Sequence, residues 1–543
     1  MQLMTLTKWS HHICVPIETL PVELLSSIFL IYVRSFLRRE TQHIPPFSSN
    51  HVGNMLPPRK DKQGSLIHAL HLSQVCRHWR EVAQCTPQLW TNIVFQGSIN
   101  RVQHCLQFSR GLPLFVYCQQ PRVFSSQPLG TMVLFQQFNR IRSLDITLPE
   151  KNSTHFQKLL TEEASLLEYL RVSWPLDSDL FRGVQTSPPT RRLPRLATLD
   201  LRVVYPSDVT PWVSSSLRTL SLDVRCIHAD ITEVLLAIAH LPLLEVLAYH
   251  GSNNPVAHPN PTETIADFPN LILLNLEIHE SACIAFLQGI SFPETTKLQI
   301  TTYLSSVRAE TPIARIAAQK VLPSDDFEND QTARYLAISF CDYAVEMSLW
   351  KATAKSVVVH PQASVITVLA PKSLHITFPM IQESTSMDGI VEEVCASLPL
   401  YNLQGIILQD EMRPDDPAPM QWFLSWWQAL SRLRCPTIQR LWMSGRFIAG
   451  LPCAFFNSES LAQDLSAISF SGLKEVHMIN CDFVLPDYEN QAPHSVVEET
   501  LRSLEWRSQV LEKSPLVFQI MNSKNLLTDD VGRLRRFADV QWE

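Results

Sequence analysis

The chain has 543 residues, 45% hydrophobic and 18% charged, so it should fold, and it is too long for one ordinary compact core. Two to four domains, or one elongated repeat domain beside a small one, are expected. A net charge of -7 and a pI near 6.2 leave no basic footprint for nucleic acid. With 14 Gly against 37 Pro, phosphate-cradling loops are disfavoured, because they need clustered Gly for close backbone approach. The nearest approach, Gly445-x4-Gly450, is followed by Leu451-Pro452 where a P-loop needs Lys and Ser or Thr, and it reads as a loop.

After an N-terminal tail (1–15), Pro21 suits the first turn of a helix, where its missing N–H costs nothing. Leu24, Leu25, Ile28, Phe29 and Tyr32 then fall at helical spacing. Val75, Trp79 and Val82 make a second apolar stripe with Cys76 beside it, and Pro87 ends that helix so that Leu89-Trp90 can fold back. Between the two helices, Arg34–Ala69 holds Pro45-Pro46 and Pro57-Pro58 and reads as a flexible surface loop. Its Arg34, Arg38, Arg39, Arg59, Lys60 and Lys62 read as a solvated basic face.

The words themselves say more than their periodicity. Leu20-Pro21-x-Glu23-Leu24-Leu25-x2-Ile28-Phe29, then Val75-Cys76-x2-Trp79-Arg80, then Pro87-x-Leu89-Trp90 together closely resemble the F-box. With the insertion, the module (16–95, insertion 34–69) resembles the F-box-like proteins abundant in mushroom-forming fungi. The resemblance implies a small all-α domain that docks onto the Skp-type adaptor of a cullin ubiquitin ligase. It further implies that Leu20, Pro21, Leu24, Ile28, Val75, Cys76, Trp79, Leu89 and Trp90 make or support that contact, some of them as internal core.

Downstream, an apolar-x2-apolar-x-apolar phrase recurs. It reads Ile141/Leu144/Ile146, Leu167/Leu170/Val172, Leu196/Leu199/Leu201, Leu217/Leu220/Leu222, Leu244/Leu247/Tyr249 and Leu271/Leu274/Leu276, with starts 26, 29, 21, 27 and 27 residues apart. That period resembles a leucine-rich repeat, one short strand and one helix per turn of a solenoid. The expected fold class is therefore α/β (repeat): a small all-α F-box module followed by a solenoid of short parallel strands and helices. Ala229-Asp230 should cap a helix with the stripe Ile231, Val234, Leu235 and Ile238, and Pro194, Pro242 and Pro269 should end the segments before strands.

The solenoid is expected over 96–300, with an irregular continuation over 301–495 seeded by Leu403/Ile406/Leu408, Ile438/Leu441/Met443, Leu473/Val476/Met478 and, more faintly, Pro371/Leu374/Ile376. A separate α/β domain with short buried strands is the alternative for that half. A C-terminal helical cap is expected over 496–543. Residues alternating with the inward phrase should face out along the strands. Asp145, Arg171, Asp200, Arg202, Ser221, Asp223, Asn275 and Glu277 are the candidate substrate-binding row.

Other constellations carry little chemistry. His68, His71, Cys76 and His78 lack a second ligand pair for zinc. Phe423, Trp422, Trp426 and Trp427 read as a helix packed beneath the sheet rather than a ligand cage. There is no G-x-S-x-G elbow, and the 12 Cys form no C-x-x-C pair, as expected of buried thiols in a reducing compartment. No secretory signal is read, since Pro21 and Glu23 break Leu20–Val33 and its apolar remainder is too short to span a bilayer. The expected protein is a cytoplasmic and/or nuclear substrate-recognition subunit that needs no cofactor or metal and has no catalytic residues. Its expected partners are a Skp-type adaptor, a cullin through it, and an unknown protein substrate, with no nucleic acid or membrane. The rival readings are an F-box-fold interaction module acting outside any ligase and an enzyme hidden in 301–543.

Overall fold

The computed structural model describes residues 20–42, 64–95, 99–118, 133–134, 136–147, 164–173, 193–202, 212, 214–224, 230–252, 265–303, 312–321, 333–341, 344–352, 357–360, 365–368, 374–379, 403–412, 423–424, 426–427, 430, 437–455, 470–485, 494–511 and 516–542. It divides into two compact units, Met1–Leu222 and Asp223–Glu543.

The first unit opens with three helices, α1 (Val22–Gln42), α2 (Gly64–Val75) and α3 (Arg77–Gln84), followed by a 3-10 turn at Pro87–Trp90. Both ends of the expected loop Arg34–Ala69 are therefore helical, and Ala69 is buried. Residues 34–42 hold neither Pro nor Gly, and lengthening a formed helix adds one hydrogen bond for each residue fixed. The middle of that stretch, 43–63, lies outside the described residues.

Strands β1 (Asn92–Phe95), β2 (Leu114–Cys118), β3 (Ile141–Thr147), β4 (Tyr169–Ser173) and β5 (Thr198–Arg202) follow, with α4 (Ile99–Phe108) between the first two. Each pairs in parallel with the next. β6 (Thr219–Asp223) comes next, and Thr219 N donates to Ala197 O at 2.9 Å.

The recurrent phrase accounts for this succession. All three of its apolar positions are buried in every copy from Ile141 to Leu222. The first closes a turn, as Leu167 N donates to Ala164 O, Leu196 N to Leu193 O and Leu217 N to Ser214 O. The other two then fall on one face of a strand, whose side chains alternate with period two.

In the second unit β7 (Val246–His250), β9 (Leu273–His279) and β11 (Lys297–Tyr303) are parallel neighbours, and β8 (Ala266–Asp267) pairs with β10 (Ile290–Ser291). Helix α5 (Ile231–Ile238) precedes β7, α6 (Glu280–Gly289) lies between β9 and β10, and α7 (Pro312–Val321) follows β11. Asp230 caps α5 by accepting from Thr232 N at 2.9 Å, and Ile231, Val234, Leu235 and Ile238 are buried.

Then the succession breaks. β12 (Ala333–Cys341), β13 (Ala344–Ala352) and β16 (Leu374–Pro379) sit in the order β11-β16-β13-β12-β17, where β17 is Leu403–Asp410. β13 runs antiparallel to both neighbours, so the expected continuation over 301–495 is interrupted here. Only Asp342-Tyr343 separate β12 from β13, a link that can close an antiparallel hairpin but not a parallel crossover. β14 (Val357–His360) and β15 (Val365–Val368) form a separate hairpin.

Parallel order resumes with β17, β18 (Arg440–Ser444), β19 (Glu475–Ile479), β22 (Val517–Met521) and β23 (Asp539–Trp542), while β20 (Val484–Leu485) pairs with β21 (His494–Ser495). The tail 496–543 is thus not a helical cap. α9 (Val496–Val510), which follows the short α8 (Leu451–Phe455), is helical as expected, but β22, α10 (Thr528–Leu534) and β23 add two strands to the sheet. Phe537-x2-Val540-x-Trp542 keeps the phrase's spacing with aromatic ends, which hides it among leucines.

Three of these strands end on a left-handed residue: Gly445 (φ 61), Asn480 (φ 51) and Asn522 (φ 52). Asn tolerates that conformation better than other side chains. At Gly445 a Cβ would also stand 2.6 Å from Asp410 Cβ. Beneath this part of the sheet Phe423, Trp426 and Trp427 are buried, and Trp427 Nε1 donates to Phe447 O at 2.8 Å. Trp422 lies outside the described residues.

Candidate functional site

α1 is apolar on two sides. Leu25, Phe29 and Val33, spaced i, i+4, i+8, are buried against the module's own core. Leu24, Ile28 and Tyr32 repeat that spacing one residue earlier, and they are 53%, 44% and 40% exposed. Residues four apart on a helix stand one above another, so these three form a stripe. Ile31 widens it at 68% exposed, and Val22 is exposed at its start. Covering the exposed part of each large side chain would recover roughly 1 kcal/mol at about 25 cal/mol per Å2.

Pro21 is exposed beside this stripe, Leu20 is half-buried, and Val75 is exposed at the end of α2. The other residues of the motif hold the shape. Cys76 interrupts the helices and caps α3, its Sγ accepting from Trp79 N at 3.4 Å. Arg80 Nε donates to Ser73 O at 3.0 Å, satisfying a carbonyl in the last turn of α2. Trp79 is half-buried with its ring centroid 4.9 Å from that of Phe29, so it braces α3 against the inner face of α1. Thr86 Oγ1 donates to Val82 O at 2.7 Å and lies 2.9 Å from Ser26 Oγ.

Leu89 and Trp90 are fully internal. Trp90 Nε1 donates to Ala83 O at 2.7 Å, and its ring meets His104 and Phe108 of α4 at centroid distances of 5.3 and 5.4 Å. They support the exposed face from behind and join the helical module to the first strands. Burial of His104 holds its imidazole below the ordinary value, and the adjacent Cys105 thiol is pushed up to about 12 for the same reason. His71 is exposed and the Cys76 sulfur is engaged as a cap.

The expected substrate row is arranged differently from its expectation. Registers place Tyr117, Asp145, Arg171 and Asp200 side by side across β2 to β5. Instead of standing out in solvent, Asp145, Asp200, Asn275 and Glu277 are buried. Arg171 explains the first two: its Nε bonds Asp200 Oδ2 and its Nη1 lies 3.5 Å from Asp145 Oδ2. Burial works against the Arg171 charge, yet Asp200, with Tyr169 and Asp145, more than offsets it and holds the guanidinium above its ordinary value. Buried charges need such partners.

Glu277 Oε2 lies 2.8 Å from His250 Nδ1. Ser221 and Asp223 are half-buried, and Arg202 alone of the row is exposed.

A second cluster in the second unit has no counterpart among the sequence-predicted residues. Trp442 stacks on His477 (centroids 5.2 Å, planes 14° apart) and meets Tyr335 at 5.9 Å. Arg440 Nε donates to Glu475 Oε2 at 2.9 Å. Gly405 makes room there, since a Cβ would stand 2.6 Å from the Tyr335 ring and 2.8 Å from that of Trp442. Period-two alternation around Leu441 and Val476 was the available signal, because Trp442 and His477 follow each of them on the other face.

No curated protein matches the chain. A family model described as F-box-like matches residues 17–96, the stretch that carries α1, the motif helices and the buried Leu89-Trp90. Residues 17–96 are therefore an F-box-like domain, and such a domain suggests a role in protein–protein interaction.

Proposed function

We propose that the chain is the substrate-recognition subunit of a Skp-cullin-F-box ubiquitin ligase. The outward stripe of α1 carries this reading: an F-box-like domain leaves Leu24, Ile28, Ile31 and Tyr32 in water, and a partner surface is the place for them. Leu20, Pro21, Leu24, Ile28 and Val75 would touch a Skp-type adaptor, with Cys76, Trp79, Leu89 and Trp90 holding them in place. The parallel strands downstream would form a leucine-rich-repeat-type solenoid that takes the target protein. The recurrent buried phrase and the left-handed residues Gly445, Asn480 and Asn522 after successive strands support that part. The chain would contribute proximity, bringing a target lysine to the charged ubiquitin carrier, and no acid–base chemistry of its own. It would work in the cytoplasm or the nucleus.

Co-expression with a Skp-type adaptor and a cullin, followed by affinity purification, tests this. Wild type should retain both, and Leu24→Asp/Ile28→Asp should retain neither while keeping its circular dichroism and elution volume. A folded double variant that still holds the adaptor would overturn the docking assignment. Recovery of adaptor without cullin would replace the ligase with an F-box-fold module acting elsewhere.

A further inference from the structure

We propose that the outer face of β3 to β5 binds an extended acidic segment of a partner protein, taking two of its carboxylates onto Arg202 and Arg171. This rests on the reading above and names the chemical class of the target.

The ion network on this face is asymmetric. The side chains of Asp145 and Asp200 are 5% and 8% exposed, those of Arg171 and Arg202 23% and 47%. The acceptors are inside and the donors outside. Asp200 serves two guanidiniums. Arg171 Nε takes Oδ2 directly, which leaves Arg202 with contacts of 3.5 Å from Nε and from Nη2. A satisfied charge-assisted hydrogen bond is about 2.7–2.9 Å, so the Arg202 fork can still take a carboxylate from outside.

Its row on the sheet is Thr147, Ser173 and Arg202; the next row on this face is Asp145, Arg171 and Asp200, and Ser143 beside Tyr169 belongs to the row beyond. Ser143, Thr147, Ser173 and Tyr169 are half-buried hydroxyls. Among the described residues of this face, a partner therefore meets two guanidiniums and a set of hydroxyls that can donate, while the two carboxylates are buried.

The spacing defines the occupant. Arg171 pairs in register with Asp200, and Arg202 lies two residues further along β5. The two guanidiniums converge on one carboxylate oxygen, Asp200 Oδ2, which Arg171 Nε bonds and Arg202 Nη2 approaches to 3.5 Å, so their charges stand no further apart than alternate side chains of a strand. Side chains two residues apart on an extended strand are separated by roughly 6.6 Å. A segment with acidic residues in alternation matches this, laid across the strands. The two buried aspartates balance the two arginines, so the attraction is short-ranged and depends on contact rather than long-range steering.

The test uses the full chain and fluorescein-labelled octapeptides of alternating Ser with Glu, Gln or Lys, read by fluorescence anisotropy. The Glu peptide should bind, and the Gln and Lys peptides should not. Arg202→Glu should weaken the Glu peptide by about tenfold or more, the loss expected for one hydrogen bond to a charged group. Arg533→Glu, at another exposed arginine paired with Glu498, should leave binding unchanged. Equal binding of the Gln peptide, unchanged binding by Arg202→Glu, or an equal loss in Arg533→Glu would overturn the proposal. Adaptor recovery by Arg202→Glu should equal wild type, so failure of the peptide arm is separable from failure of the docking assignment.

Discussion

Trp90 is the joint between the docking helices and the strands that follow, and Trp90→Ala should loosen both together. Its side chain is 0% exposed. Truncating a buried aromatic of this size costs about 3–5 kcal/mol in transfer and cavity terms. The Nε1–H bond to Ala83 O, 2.7 Å long, is lost too and leaves that carbonyl only the longer bond from Thr86 N at 3.2 Å, for about 1 kcal/mol more. A loss near 4–6 kcal/mol is a large share of a typical domain stability of about 5–15 kcal/mol.

Hydrogen exchange with mass detection suits this measurement, since a chain of two units need not unfold in one step. Peptides covering α3 and α4 should exchange faster by roughly a thousandfold, because each 1.4 kcal/mol is about tenfold. Trp90→Phe keeps most of the ring and should lose much less. The reasoning is refuted if α3 and α4 keep wild-type protection, or if α3 loosens while α4, which carries His104 and Phe108, does not.

Three further outcomes follow from local geometry. In Gly450→Ala the new Cβ would stand 1.8 Å from Trp427 Cδ1, whose ring is pinned by its bond to Phe447 O; a loss of about 1–3 kcal/mol is expected by chemical denaturation, whereas Gly532→Ala, with nothing within 4 Å in α10, should gain up to about 1 kcal/mol. Burial lowers the His477 pKa more than Glu475 raises it, so its stabilising contribution is complete above about pH 6.5, the unfolded value, and is lost as pH falls through the folded one; His477→Gln should flatten that part of the urea-midpoint curve, and an unchanged slope would refute the assignment. Among the described cysteines, native thiol labelling should modify the exposed Cys85 first and spare Cys105, Cys118 and Cys481, whose thiols burial holds at about 12.

The strands most legible in the sequence were those whose phrase is wholly aliphatic. From β3 to β6 each copy gave one strand with three buried residues. β11 was missed because the polar Thr295 occupies the first position of its phrase, before Leu298 and Ile300. β12 and β13 were missed because their order depends on long-range pairing that no local period encodes. Of the docking residues, sequence could name the motif but not divide it. Leu24, Leu25, Ile28 and Phe29 are equally apolar and lie on one broad arc of the helix; only the packing of Phe29 on Trp79 at 4.9 Å decides which half turns inward. The row Asp145 to Glu277 was identified as off the hydrophobic side, but alternation says which face a side chain takes, not whether its neighbours bury it.

That last difference changes where recognition can be probed. Reversing the charge of Asp200 and Asp223 looks like a direct test of a solvent-facing row. Asp200, however, is the anchor of Arg171 and is buried. A lysine there would set a buried, unpaired cation against the half-buried Arg171 guanidinium, and breaking a buried pair costs about 3–5 kcal/mol. Any partner lost in that variant would report damage to the sheet as much as loss of contact. Arg202 has the opposite character: it is exposed, its contacts to Asp200 are long at 3.5 Å, and substitution of such a group typically costs within about 0.5 kcal/mol. A binding change at Arg202 with unchanged denaturation midpoint is therefore interpretable as recognition. The same effect at Asp200 is not, unless the midpoint is also preserved. The position that tests function is the one the fold does not need.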